Sequence, residues 1–116
     1  MSESSPQKRR FPRLPLKNLM LVQKVAAPSV EALAKTRSLG LGGCMFSSQS
    51  SFGPGTLLDL LLSIEGQAIQ TRAQVIYELP QPDGTYHVGA EFCDIPALDR
   101  ALLQQFLEGK GPTTAE

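Results

Sequence analysis

The chain has little of what catalysis and metal binding draw on: no tryptophan, one histidine and two cysteines in 116 residues. His87 stands in a strand-like run without a Ser or Cys nucleophile in a recognisable frame, so it reads as a solvated or structurally satisfied side chain. No HExxH, CxxC, phosphate-loop or paired-carboxylate pattern occurs, which removes the common hydrolytic, metal-dependent and nucleotide-hydrolysing chemistries. A non-enzymatic role is expected. Cys44 and Cys93 lie in apolar, strand-like surroundings rather than at ligand spacing, and no secretory pattern precedes them. Two small strand residues in a reducing, cytoplasmic protein are the expectation. Nor is there an apolar run long enough to cross a bilayer, since TLLDLLLSI is short and interrupted by Asp59.

Charge of one sign is lacking overall, because eleven basic residues balance eleven acidic ones. The balance is local, not uniform. Six of the basic residues fall within the first 24 positions, where Glu3 is the only acid. Residues 25–116 carry five basic residues against ten acidic ones. A global field that collects polyanions is excluded, whereas a local basic arm suited to a small anion is present. Aromatics are also sparse beside that arm, with Phe11 alone, and the rest of the chain is acidic, which argues against nucleic acid as the partner.

The length allows one domain. Residues 1–7 are Ser-rich, polar and without apolar period, so a disordered tail is expected there. Pro12 and Pro15 keep residues 8–15 extended or turn-like. Leu16 to Val25 suggests a strand and the Pro28 region a turn, while Ala32 to Arg37 suits either a short helix or a strand. A glycine turn, SLGLGG, leads to a short strand at Cys44 to Phe46; SSQSSFGPG forms a loop, and Thr56 to Ile64 reads as a buried strand.

Gln67 to Leu79 and Thr85 to Cys93 flank PQPDG, whose Asp83-Gly84 pair favours a hairpin. Alternation of Ala73, Val75 and Tyr77, and of Tyr86, Val88, Ala90 and Phe92, puts one face of it in the core. Then Pro96 suits a first helical turn, Asp94 a cap, and Leu98, Ala101, Leu102 and Phe106 a helical face that ends at Gly109. The fold class is therefore all-β with one C-terminal α-helix, most simply a small antiparallel barrel that leaves no exposed edges. Residues 8–108 form the domain, and residues 109–116 a flexible tail.

Arg9 and Arg13, four apart in an extended arm, are separated by roughly 12 Å at about 3.1 Å per residue. Guanidinium groups fork onto phosphates or a guanine edge and stack on bases, so this span suits the two ends of a dinucleotide. A solvated basic tail is the plainer reading of the same charges. Gly40, Gly42 and Gly43 permit unusual backbone angles and the close approach of a ligand to amide groups, or else mark only a tight strand-to-strand turn.

Arm, turn and late hairpin occur in the order found in the PilZ family, small bacterial receptors for cyclic di-GMP, and residues 8–108 resemble it. The family's RxxxR motif stands as Arg9-Arg10-Phe11-Pro12-Arg13, and YHVGAEF before a helix looks like its closing hairpin. The second motif, Asp or Asn, any residue, Ser, two residues, Gly, aligns with Ser38-Leu39-Gly40-Leu41-Gly42-Gly43 and departs from it at Ser38 and Gly40.

The resemblance implies a six-stranded barrel with a C-terminal helix, and ligand-binding residues Arg9, Arg10, Arg13, Ser38, Gly40 and Gly43. The ligand would be cyclic di-GMP, as one molecule or a stacked pair, and no cofactor or metal is implied. Binding would order the arm and create a surface for a downstream protein partner whose identity the sequence leaves open. The alternative is a module that kept the barrel, lost the ligand and works through protein contacts alone.

Overall fold

The computed structural model describes residues 13–110, with residues 28–31 and 110 described by backbone alone. Seven strands and one helix follow in order: β1 (Arg13–Leu14), β2 (Leu19–Lys24), β3 (Ala27–Gly40), β4 (Gly43–Ser48), β5 (Leu57–Ile64), β6 (Gln67–Pro80), β7 (Tyr86–Asp94) and α1 (Ala97–Lys110). Six of them, in the order β3-β2-β5-β6-β7-β4, form an antiparallel sheet that closes where β4 returns to β3; β1 adds two residues at the end of β3. This is the expected barrel. The expected tail at residues 1–7, most of the arm, and residues 111–116 lie outside the described residues.

Strand periodicity explains the closure. Along β5 the burial alternates residue by residue, with Leu58, Leu60, Leu62 and Ile64 inside, and along β6 Ile69, Thr71, Ala73 and Val75 do the same. The strand read as buried at Thr56 to Ile64 is buried on one face only, with Asp59 and Leu61 on the outer face. Glu65 and Gly66, both at positive φ (49° and 82°), make the two-residue turn between β5 and β6. That geometry matches the twist of the flanking strands. The second hairpin turns where expected: Gly84 has φ 88°, and Asp83 Oδ1 accepts hydrogen bonds from Thr85 N–H (3.0 Å) and Thr85 Oγ1 (2.6 Å).

Three other expectations change. The turn before β3 lies at Val25 and Ala26, so Pro28 falls inside β3, which also absorbs the ambiguous Ala32 to Arg37 as strand. The helix turns a different face to the sheet: Leu103 is buried and Leu102, Phe106 and Leu107 pack on the core, while Leu98 and Ala101 point outward. A helix lying on the flank of one strand, here β6, uses a narrow stripe, and that stripe starts a turn later than the apolar period suggests. Asp94 does not cap α1 but ends β7 opposite Arg72; the carboxylate of the first turn is Asp99, whose Oδ2 accepts from Gln70 N–H of β6 at 2.8 Å.

One buried polar group locks the chain entering the barrel. Thr36 is fully buried, its Oγ1 donates to Leu16 O (2.7 Å) and accepts from Asn18 N–H (2.8 Å), and its own N–H donates to Asn18 O (2.9 Å). These bonds satisfy the backbone of the segment between β1 and β2, which belongs to no strand.

Candidate functional site

At the end of β3 three stretches distant in sequence meet. Arg13 pairs with Gly40 and Leu14 with Leu39, which lays the last residue of the RxxxR motif beside the glycine turn. On the other side of that turn Gly43 pairs with Glu91 and Cys44 with Ala90, and Phe92 N–H donates to Gly42 O at 2.8 Å. Arg13 and Leu14, the turn and the late hairpin strand thus share one corner of the barrel.

Gly43 is what lets them meet. A methyl group there would collide with Ala90 O and stand 3.0 Å from Arg13 Nη2. The need is for close approach, not for unusual backbone angles: the glycines with positive φ among the described residues are Gly53, Gly55, Gly66 and Gly84, none of them in this turn. Gly43 is thus required by close packing within the protein.

Arg13 runs across the space that Gly43 leaves. Its Nη2 reaches Ala90 O at 3.5 Å, the outer limit of a hydrogen bond, and its Nη1 is buried with no hydrogen-bond partner among the described residues. A buried guanidinium nitrogen without an acceptor is costly, and an anionic oxygen reaching it would relieve that cost. Beneath it lies Cys44, whose thiol burial pushes up to about 12 although the neighbouring Arg13 charge pulls it down. Cys44 is therefore a neutral core residue, while Cys93, the residue after Phe92 near the end of β7, is exposed.

The remaining expected site residues fall as follows. Ser38 is half-buried on β3 opposite Met45, and Gly40 is buried opposite Arg13. Arg9 and Arg10 lie outside the described residues. Ala90 O and Gly42 O belong to this corner without having been singled out in sequence, because backbone carbonyls leave no residue-type signal. Thr36 was also missed; a lone threonine in a strand carries nothing that distinguishes a buried anchor from a surface residue. His87 lies at the other end of β7, opposite Ser47 and Leu79. Among the described residues no group of three or more His, Cys, Asp and Glu side chains converges on a point, and no helix is long and apolar enough to cross a membrane.

A closed six-stranded barrel with a terminal helix and an arginine arm beside a glycine turn is the architecture of one family of domains. The chain belongs to it: the model of the PilZ domain family matches residues 7–109. Solved structures agree in fold. MotI/DgrA, the inhibitor of motility from Bacillus subtilis, superposes with a TM-score of 0.73 at 23% identity, over 90% of this chain and 51% of that one. The chain therefore spans about half the length of that protein. The PilZ domain of Escherichia coli YcgR, solved with c-di-GMP, gives 0.68 at 13% identity over 89% and 91%. The PilZ domain of CeSA from a cellulose-synthesizing bacterium gives 0.64 at 14% identity over 85% and 97%. No curated protein matches the chain by sequence.

Proposed function

We propose that this PilZ domain is a receptor for cyclic di-GMP that works by binding and not by catalysis, with Arg13 as the described member of its ligand grip. The carrying observation is the buried Nη1 of Arg13 at the glycine turn, which has no partner among the described residues. In this reading Arg9 and Arg13 clamp and stack on the ligand, Arg10 assists, and Ser38 to Gly43 form the floor. The YcgR domain solved with c-di-GMP has the same fold, which supports the choice of ligand.

Departures from the family motif set the affinity. Ser38 offers a shorter hydrogen-bonding side chain than Asp or Asn, and Gly40 offers none where the family has Ser. Two lost hydrogen bonds at about 0.5–1.5 kcal/mol each weaken binding by roughly tenfold to a hundredfold. The arginines carry most of what remains. Ordering of the arm on the ligand would present a new surface to a cytoplasmic protein partner, and the ordering cost is subtracted from the affinity.

Those same two positions favour a second reading, a PilZ module that no longer takes the ligand and acts through protein contacts alone. Calorimetric titration with cyclic di-GMP decides between them, with cyclic di-AMP and GTP as controls. The receptor reading expects saturable, selective heat that Arg9→Ala and Arg13→Ala abolish. Absence of heat at high ligand concentration selects the second reading.

A further inference from the structure

The barrel is not sealed along its whole length. β3 has fourteen residues, yet only Thr36, Ser38 and Leu39 pair with β4; from Ala27 to Lys35 it pairs with β2 alone. On the facing side Ser47 and Ser48 of β4 pair with β7 alone. Backbone alternation fixes which groups face the gap. Thr36 N–H donates to Asn18 O on the β1–β2 side, so the main-chain groups of Ala34 and Ala32 turn the same way, and those of Leu33 and Lys35 turn toward the gap. No strand meets them among the described residues.

The gap opens into a cleft of about 650 Å³, within the range of binding sites. Its depth is apolar, with Val22, Phe46 and Phe52, the two rings packed edge to face at 6.3 Å. Small side chains make the room: Ala32 lies opposite the buried Val22, and so on the inner face of β3, yet is exposed. Serines 47, 48, 50 and 51 line one side. Lys24 and Lys35 line it as well, with Lys24 Nζ 5.8 Å from the centre of the Phe52 ring. Leu33, 69% exposed, stands on the outer face between them.

Free strand edges flanking an apolar trough are the geometry that takes up an extended chain by strand addition, main-chain hydrogen bonds giving affinity and alternate side chains entering the trough. We propose that the β3–β4 seam binds an extended segment of a partner protein, alternating apolar side chains, which enter the cleft, with acidic ones, which meet Lys24 and Lys35. Charge selects this occupant. The chain's own N-terminal segment brings Lys8, Arg9 and Arg10 to a cleft already lined by lysines, whereas an acidic segment complements it. The seam is separate from the Arg13 corner, which lies at the Gly40 end of β3, and stands independently of the ligand reading.

The test is selection of a displayed library of random twelve-residue peptides against the full chain, followed by titration of the enriched peptides. Alternating apolar and acidic residues are expected among them. Leu33→Pro removes a main-chain donor that faces the seam but not one used by β2, and should weaken those peptides by at least about tenfold. If that variant fails to fold, Lys24→Glu with Lys35→Glu serves instead, with the same expected loss. Bound peptide should also slow amide exchange at Leu33 and Lys35, while Arg13→Ala leaves its affinity unchanged. Failure to enrich any peptide, or enriched peptides that bind the seam variants as tightly as the parent, would overturn the proposal. So would self-association of the free chain that the seam variants abolish, since it would assign the seam to a second copy.

Discussion

At Gly43 a single hydrogen atom decides whether Arg13 can lie against the barrel. Replacing it with a methyl group brings carbon onto Ala90 O, a main-chain atom in the closed sheet that cannot step aside, and crowds Arg13. Gly43→Ala should cost about 1–3 kcal/mol in urea unfolding, the range for forcing a methyl into packed structure. It should also weaken cyclic di-GMP binding beyond what stability explains. The two thiols differ as sharply. Cys44, buried with its pKa pushed to about 12, has almost no thiolate at pH 8, whereas Cys93 is exposed. A disulfide-exchange reagent should label one thiol of the native protein quickly, and Cys93→Ser should remove that phase while Cys44→Ser leaves it.

Among the elements, the loop between β4 and β5 depends on one carboxylate of β6. Glu78 accepts from Ser51 Oγ at 2.7 Å and from Phe52 N–H at 2.6 Å. Partial burial pushes its pKa up, but the donations from Ser51, Phe52 and Gly53 outweigh this and hold it below its ordinary 4.5. A lowered folded pKa means that the ionised form is the stabilising one. The loop contribution is therefore complete above pH 4.5 and disappears as pH falls through the lower folded value. Protection of the Phe52 amide, taken relative to a free amide at the same pH, should fall over that acid range, and Glu78→Gln should show weaker protection at pH 7 with little further change on acidification. A second anchor lies in β3. Thr36→Val keeps shape but leaves Leu16 O and Asn18 N–H without partners in a buried place, and should lower unfolding free energy by about 1–3 kcal/mol.

How far the elements were legible follows from the local nature of each signal. Asp83-Gly84 between two alternating runs announces its hairpin, because turn chemistry and strand period agree. Glu65-Gly66 makes an equally tight turn, and the strands read at Thr56 to Ile64 and Gln67 to Leu79 leave the break at these two residues, although glutamate is not one that favours positive φ. In β3 the inner face carries Ala32, Ala34 and Thr36, too small and mixed to show a period, and its pairing shifts register between Thr36 and Ser38. Leu98 and Ala101 fit a helical stripe as well as Leu103 and Leu107 do; only the position of α1 on β6 separates them. At the candidate site the residue types were legible from the motif spacing. The acceptor at Ala90 and the crowding around Gly43 were not, since both arise from register between strands more than forty residues apart in the chain.

For the whole molecule the question is whether the corner at Arg13 is a live binding site, and stability answers it without assuming where the ligand sits. A ligand that binds only the folded protein stabilises it by about 2.7 kcal/mol at a hundred times Kd. In a domain of this size that corresponds to a Tm rise of about 10 °C. The rise should grow with the logarithm of cyclic di-GMP concentration, be absent with cyclic di-AMP, and vanish in Arg13→Ala. That variant also loses a buried nitrogen with no partner among the described residues, so its own Tm without ligand should stay level or increase. The two outcomes together separate ligand grip from scaffolding: a fold-supporting arginine would lower the unliganded Tm when removed, whereas a side chain held ready for an anion costs the free protein little and the complex much.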